Sequence, residues 1–223
     1  MVDTDTVIER LARNARPVQR LPSPGRRVAR WLAIGLPVIA VFGAVMGARP
    51  DLGLKLAEPV FLLQLLAAFA TAVCAAHAAF ASAVPGAPRW CLWLPLPPFA
   101  LWIGSLGRQC WQDWLRLGPD GIVFTVDLVC LPIIAMVGTA PAIAMVIMTR
   151  RGASFTPRLT AFLGALAAAT LAYVGLRLVH PLDAAFMVLV WQFGAVALFA
   201  TVIGGLGRRL LSARQGAAAA VPH

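Results

Sequence analysis

Acidic side chains are scarce in this chain. There are nine Asp and Glu among 223 residues, and charged residues of either sign make up only 13%, against about 25% in an average soluble domain. Tyrosine occurs once and histidine three times. There is no glycine-rich phosphate loop, no His-Glu-x-x-His, no Cys-x-x-Cys and no Gly-x-Ser-x-Gly, so no motif marks a nucleotide enzyme, a zinc hydrolase, a dithiol oxidoreductase or a serine hydrolase. Present instead is apolar surface. Hydrophobic residues make up 60% of the chain and the mean hydropathy is +0.81. A soluble fold of this length has too much surface for its volume to hide that much. The expected solvent is a bilayer.

Six runs free of Asp, Glu, Lys and Arg are long enough to cross one, at roughly 17–25 residues each. They are Trp31–Ala48, Val60–Val84, Trp90–Gly107, Leu128–Thr149, Leu159–Leu176 and Ala184–Leu206. The expected fold is therefore all-α: a polytopic membrane protein with six transmembrane helices in residues 31–206. Pro95, Pro97 and Pro98 are expected to kink or unwind the third span. The first span follows thirty residues of charged sequence, which does not read as a cleavable signal peptide.

Basic residues near span ends set orientation. The N-terminal tail (Arg10, Arg13, Arg16, Arg20, Arg26, Arg27, Arg30), Arg89, the Arg150/Arg151/Arg158 turn and the C-terminal Arg208, Arg209 and Arg214 fall on one side, and Arg49, Lys55, Arg108, Arg116 and Arg177 on the other. Fourteen against five puts both termini in the cytoplasm. The net charge of +10 suits anionic lipid headgroups and acidic protein partners rather than direct nucleic-acid binding. Arg26, Arg27 and Arg30 read as topogenic charge alone. The basic tail 207–223 reads as disordered.

Residues 1–30 form a cytoplasmic tail. Asp3 and Thr4 offer a cap, with Glu9 in the early helix. Val7, Ile8, Leu11, Ala12 and Ala15 recur at helical spacing, opposite Glu9, Arg10, Arg13 and Asn14. This is a short amphipathic helix, stopped at Arg16-Pro17 and joined to the membrane by a Pro-rich spacer. Such a helix is marginal alone in water, and its stripe needs a surface: lipid or a partner's groove.

No carboxylate lies within a span, which counts against an ion pathway. His77 reads as a neutral imidazole bonded to a neighbouring helix or as a relay group. Cys74 and Cys91 read as packing residues. Cys110 and Cys130 fall near the outer face, where disulfides persist in an oxidising compartment. They are either independent buried thiols or a redox or soft-metal pair. Asp113, Asp120, Asp127, His180 and Asp183 gather on the same face, as solvated loop charge or as metal-binding groups. The tryptophans near span ends read as interfacial anchors.

The pattern resembles the NrsF family. The tail Thr4-Asp5-Thr6-Val7-Ile8-Glu9-Arg10-Leu11-Ala12 carries the resemblance first, then Ala15-Arg16-Pro17-Val18 and Leu21-Pro22-Ser23-Pro24. Arg49-Pro50-Asp51-Leu52, Phe61-Leu62, Ala83-Val84-Pro85-Gly86, the loop ending at Cys130, and Asp183 leading to Trp191 extend it over nearly all of residues 3–209. It implies a six-span bacterial inner-membrane anti-sigma factor without catalysis or resident cofactor. The cytoplasmic tail would hold an extracytoplasmic-function sigma factor, and outward cysteines would release it under heavy-metal or oxidative stress. Cys130 matches the family's first cysteine. At the second, this chain reads Val179-His180-Pro181-Leu182-Asp183. Three arrangements follow: Cys110 as partner of Cys130, a mixed Cys130–His180 site for a transient soft metal ion at the periplasmic face, or a different signal. A small transporter of unknown substrate is the alternative function.

The basic split makes one direct prediction. A reporter active only in the periplasm, fused after residue 215, is expected to be silent. Strong activity there would overturn the orientation.

Overall fold

In a computed structural model of the chain, the described residues are 4–13, 21–84, 86–118, 130–150, 152, 156–180 and 193–206, with the side chains of 11, 130–135, 193, 195 and 199 outside that description. The described residues form helices and no strand: α1 (Thr4–Arg13), α2 (Pro24–Met46), α3 (Leu52–Ala57), α4 (Pro59–Ser82), a 3₁₀ turn (Arg89–Trp93), α5 (Leu96–Leu117), α6 (Cys130–Thr149), α7 (Pro157–Val179) and α8 (Phe193–Gly205). Three of these, α2, α4 and α7, are long and apolar enough to cross a membrane. The expected tail 207–223, residues 14–20 with the start of the expected spacer 17–27, and residues 184–192 of the sixth run lie outside the described residues, while residues 24–27 of that spacer belong to α2.

Proline places the helix starts. Pro24, Pro59 and Pro157 each open a helix, and α5 begins after Pro95 with Pro97 in its first turn. The missing N–H costs nothing there, because first-turn donors have no intrahelical partner, and the fixed φ already suits a helix. Two expectations change as a result. The prolines of the third apolar run do not bend a continuous helix; the run is unwound ahead of them, with a 3₁₀ turn over Arg89–Trp93. Those prolines start α5, which continues through Arg108, Asp113 and Arg116 to Leu117. Likewise α2 starts seven residues before the first apolar run, carrying Arg26, Arg27 and Arg30 inside the helix. Gly47 (φ 81°) and Gly118 (φ 61°) follow α2 and α5 in left-handed conformations that a side chain resists.

The long helices alternate in direction. The start of α2 meets the ends of α4 and α6, since Arg27 bonds carbonyls of Phe80 and Met148. The start of α7 meets the end of α4, with Ser82 Oγ 2.9 Å from Thr160 Oγ1. At the opposite end the Arg49 N–H donates to Leu178 O at 3.1 Å, joining the turn after α2 to the end of α7.

Helix α7 is the centre of the bundle, with α2, α4, α6 and α8 around it. It is buried from Leu163 to Arg177. Against it α4 presents an alanine face that includes Ala68, Ala72, Ala75, Ala76 and Ala79. Lipid tails are as apolar as leucine, so helices in a bilayer associate by close van der Waals contact, and small residues permit the approach. Glycine also leaves room where a neighbouring helix comes close. A Cβ on Gly138 of α6 would lie 3.3 Å from Ala172 Cβ, and one on Gly175 of α7 would lie 3.2 Å from both Ile39 Cγ1 and Cγ2. Helix α5 packs on α4, and its Trp102 ring also lies against Tyr173 of α7, tilted by 52° at a centroid distance of 4.7 Å.

Gly138→Val and Gly175→Val are therefore expected to destabilise the bundle by about 1–3 kcal/mol each through overpacking. Gly43→Val, where no atom lies within 4 Å of the added carbon, should stay within about 0.5 kcal/mol. Unfolding in detergent micelles measures all three, and equal effects would argue against the close approach.

Candidate functional site

Chemistry-bearing residues gather at the two ends of the bundle and on the arm that precedes it. The arm is α1. Its polar side holds an Arg13–Glu9 pair at 3.2 Å, four residues apart and well exposed, which contributes little. Its apolar side is open: Val7 is 41% and Ile8 57% exposed, and Ala12 is exposed. None of the packed helix pairs includes α1. The backbone of Leu11 continues the helix, while its side chain and the whole of Ala15 lie outside the described residues.

Where α2 begins, Arg27 is 2% exposed. Its Nη1 donates to Phe80 O at 3.2 Å, its Nη2 donates to Met148 O, and its guanidinium lies 4.4 Å from the Phe80 ring centroid. One turn on, the buried Trp31 donates its Nε1–H to Pro141 O at 2.8 Å. Phe80 and Met148 belong to the last turns of α4 and α6, where carbonyls lack helical donors and the helix dipole is negative. Sequence reasoning treated Arg27 as topogenic charge, and the structure corrects this. The missed signal was Ser23-Pro24, a helix start that puts Arg27 and Trp31 four residues apart on one inward face. Arg26, Arg30, Arg89, Arg150 and Arg158 are exposed at this same end.

The opposite end holds a second cationic cluster. Arg49, 3% exposed, binds Asp51 through two bonds, Nε to Oδ1 at 2.7 Å and Nη2 to Oδ2 at 2.8 Å. The guanidiniums of Arg49 and the buried Arg177 both face the Phe61 ring, at 5.5 and 4.7 Å. The Arg49 guanidinium beside Asp51 holds its carboxyl below the ordinary value of 3.8.

The candidate sensing residues come to this end by backbone placement. Cys110 is a half-buried free thiol on α5, next to Gln109, whose Oε1 accepts from Gln64 Nε2 of α4 at 2.9 Å. Cys130 is the first residue of α6, with its side chain outside the described residues. His180 caps α7, its N–H donating to Leu176 O at 2.8 Å. Asp113 is half-buried on α5, while Asp120, Asp127 and Asp183 lie outside the described residues. Among the described residues, no three His, Cys, Asp or Glu side chains form a group that could hold a metal. Cys91 is buried and Cys74 half-buried, both as free thiols.

Among the described residues the chain is thus helical throughout, with three helices of membrane-crossing length, buried arginines at both ends of the bundle and an amphipathic arm that is in none of its closely packed helix pairs. The family described as NrsF, negative regulator of sigma F, matches residues 11–212. The chain belongs to that family, whose name implies a negative regulator of a sigma factor. The match opens at Leu11, so the first two turns of α1 precede it. No curated protein and no solved structure matches the chain.

The Arg49–Asp51 pair makes a pH prediction. A carboxyl whose folded pKa is depressed contributes stability in full above its unfolded value and loses it as pH falls through the folded one. Asp51→Asn should therefore lower Tm at about pH 7, and the gap from wild type should close as pH drops below 3.8. Detergent melts across that range test it, and a gap that does not change with pH would count against the pair.

Proposed function

We propose that this protein is a membrane-bound anti-sigma factor of the bacterial inner membrane, with six spans and both termini in the cytoplasm. It sequesters an extracytoplasmic-function sigma factor and releases it under envelope, heavy-metal or redox stress. The carrying observation is the open apolar side of α1 in a chain of a sigma-regulator family. Val7, Ile8, Leu11, Ala12 and Ala15 form one stripe, which docks into a groove on the sigma factor and gains there the burial that a ten-residue helix lacks alone. A sigma factor held at the membrane cannot reach promoter DNA. Release needs little energy, since about 1.4 kcal/mol is tenfold in affinity. On the opposite face Cys130, with Cys110 or His180, receives the signal. The transporter alternative rested partly on a helix broken at Pro95, Pro97 and Pro98, and these residues instead open α5.

The test is regulon output in cells together with sigma-factor binding to the purified chain. Val7→Asp, Ile8→Asp and Leu11→Asp each bury an unpaired carboxylate in an apolar contact. Each should weaken binding at least about tenfold and raise the regulon. Arg13→Ala, which removes only an exposed ion pair, should change binding less than about twofold. Equal, mild effects at all four positions would leave a tether without a specific contact. In the same cells, Cys130→Ser should blunt the response to cadmium or oxidant more than Cys110→Ser or His180→Ala does. Three wild-type responses would show that the signal enters elsewhere.

A further inference from the structure

Between α4 and α5 lies an open cleft of about 480 Å³ that reaches the Arg49 end of the bundle at Val60 and Gln112. Part of its lining is apolar: Val60 and Leu63 from α4, and Leu101 and Gly104 from α5. These side chains are not covered by protein, with Leu63 41% and Leu101 49% exposed. No atom lies within 4 Å of where a Cβ on Gly104 would stand, so the floor is open at that point. The rim is polar and cationic. Arg108, Gln109 and Gln112 line it. On α5, Leu101, Gly104, Arg108 and Gln112 follow at spacings of three and four, and so share one face.

Charge and depth both select the occupant. Arg108 is exposed and, among the described residues, has no carboxylate partner. The nearby Glu58 is taken by Lys55, whose Nζ lies 3.0 Å from both of its oxygens. Asp113, five residues beyond Arg108 on α5, is turned about 140° round the helix. Gln64 receives the carbonyl side of Gln109, which leaves the Gln109 amide N–H₂ as a donor near the rim. Gln64 lies five residues into α4, about 7–8 Å below its start. That depth is where headgroups meet acyl chains, and the exposed Trp111 and Trp114, about half a turn and one and a half turns beyond Gln109, suit the interfacial zone.

We propose that this cleft binds an anionic glycerophospholipid. The phosphodiester pairs with Arg108, the Gln109 and Gln112 amides donate to remaining phosphate or glycerol oxygens, and one acyl chain lies over Gly104 between Leu63 and Leu101. Free phosphate would satisfy Arg108 but leave the apolar lining uncovered. A zwitterionic lipid would cover it but bring a second cation beside Arg108. The proposal rests on the membrane reading above.

The test is native mass spectrometry of the full chain, extracted from membranes in detergent and titrated with phosphatidylglycerol, phosphatidylcholine or inorganic phosphate. Phosphatidylglycerol should bind in preference to phosphatidylcholine. Arg108→Ala should weaken it about tenfold, the usual scale for losing one charged hydrogen-bonding partner. Gly104→Leu, placed where there is open space, should fold normally and exclude the acyl chain. Arg116→Ala, outside the cleft, should bind as wild type does. Equal binding of the two lipids, or an unchanged Arg108→Ala, overturns the proposal. So does displacement of phosphatidylglycerol by an equal concentration of inorganic phosphate, which would show recognition of the anion alone. A chain that needs no detergent to leave the cell pellet sinks the membrane reading too, whereas lipid indifference in a membrane-extracted chain sinks the cleft alone.

Discussion

The close approach of α4 to α7 is the contact on which the rest of the bundle depends. Between apolar helices in lipid there is little hydrophobic gain from association, so cohesion comes from many short van der Waals contacts. Alanine and glycine give the most backbone contact at the least loss of side-chain entropy. Polar groups near the seam are kept from disturbing it. The hydroxyls of Thr71 and Thr160 each donate to a carbonyl four residues back in the chain, Ala67 O at 2.7 Å and Thr156 O at 3.1 Å, and that of Thr170 donates to Leu166 O. Thr71 and Thr170 are thereby satisfied within their own helices, while Thr160 also meets Ser82 Oγ of α4 at 2.9 Å across the seam. With α7 enclosed in this way, α2, α6 and α8 have a fixed surface to pack against.

Burying arginine at both ends of such a bundle needs explanation, because a desolvated charge is costly unless bonded. The two ends solve this differently. Arg27 meets carbonyl oxygens at the ends of α4 and α6, groups that would otherwise lack donors. Arg49 meets a carboxylate with matched two-point geometry. Both also lie over phenylalanine rings, which suits guanidinium because it is planar and weakly hydrated. The consequence for function is positional. Arg27 fixes the start of α2 to two other helices, so the polypeptide leading back to α1 leaves the bundle from a defined point.

The apolar runs located helices better than they bounded them. Val60–Val84 and Leu159–Leu176 correspond closely to α4 and α7. Both are apolar all round and start at a proline. The run beginning at Trp31 missed the first seven residues of α2, because a search for charge-free sequence stops at arginines that a helix accommodates readily. The third run failed in the same way at its other end, where α5 continues past Arg108, and it merged the 3₁₀ turn at Arg89–Trp93 with the helix that follows. Helix α3 was not expected, since six residues with one lysine carry too short a pattern. Capping residues and proline position supplied the information that hydropathy could not.

The candidate sites divide along the same line. The stripe on α1 was legible because it is a local property, fixed by spacing within ten residues. Arg27 was not legible from hydropathy, because its partners are carbonyls 53 and 121 residues away in sequence, and carbonyls leave no trace in side-chain identity. The outward groups are intermediate. Sequence gave Cys110, Cys130 and His180 a common depth, and the antiparallel run of α5, α6 and α7 brings their backbones to one end. Whether two such groups meet depends on helix rotation, and small-residue seams set that rotation. Along α7 both kinds of constraint apply at once: Gly175 fixes its distance from Ile39, and two residues later Arg177 fixes its rotation against Phe61. His180 follows within one further turn, so the packing that positions the central helix also sets where the backbone of His180 ends it.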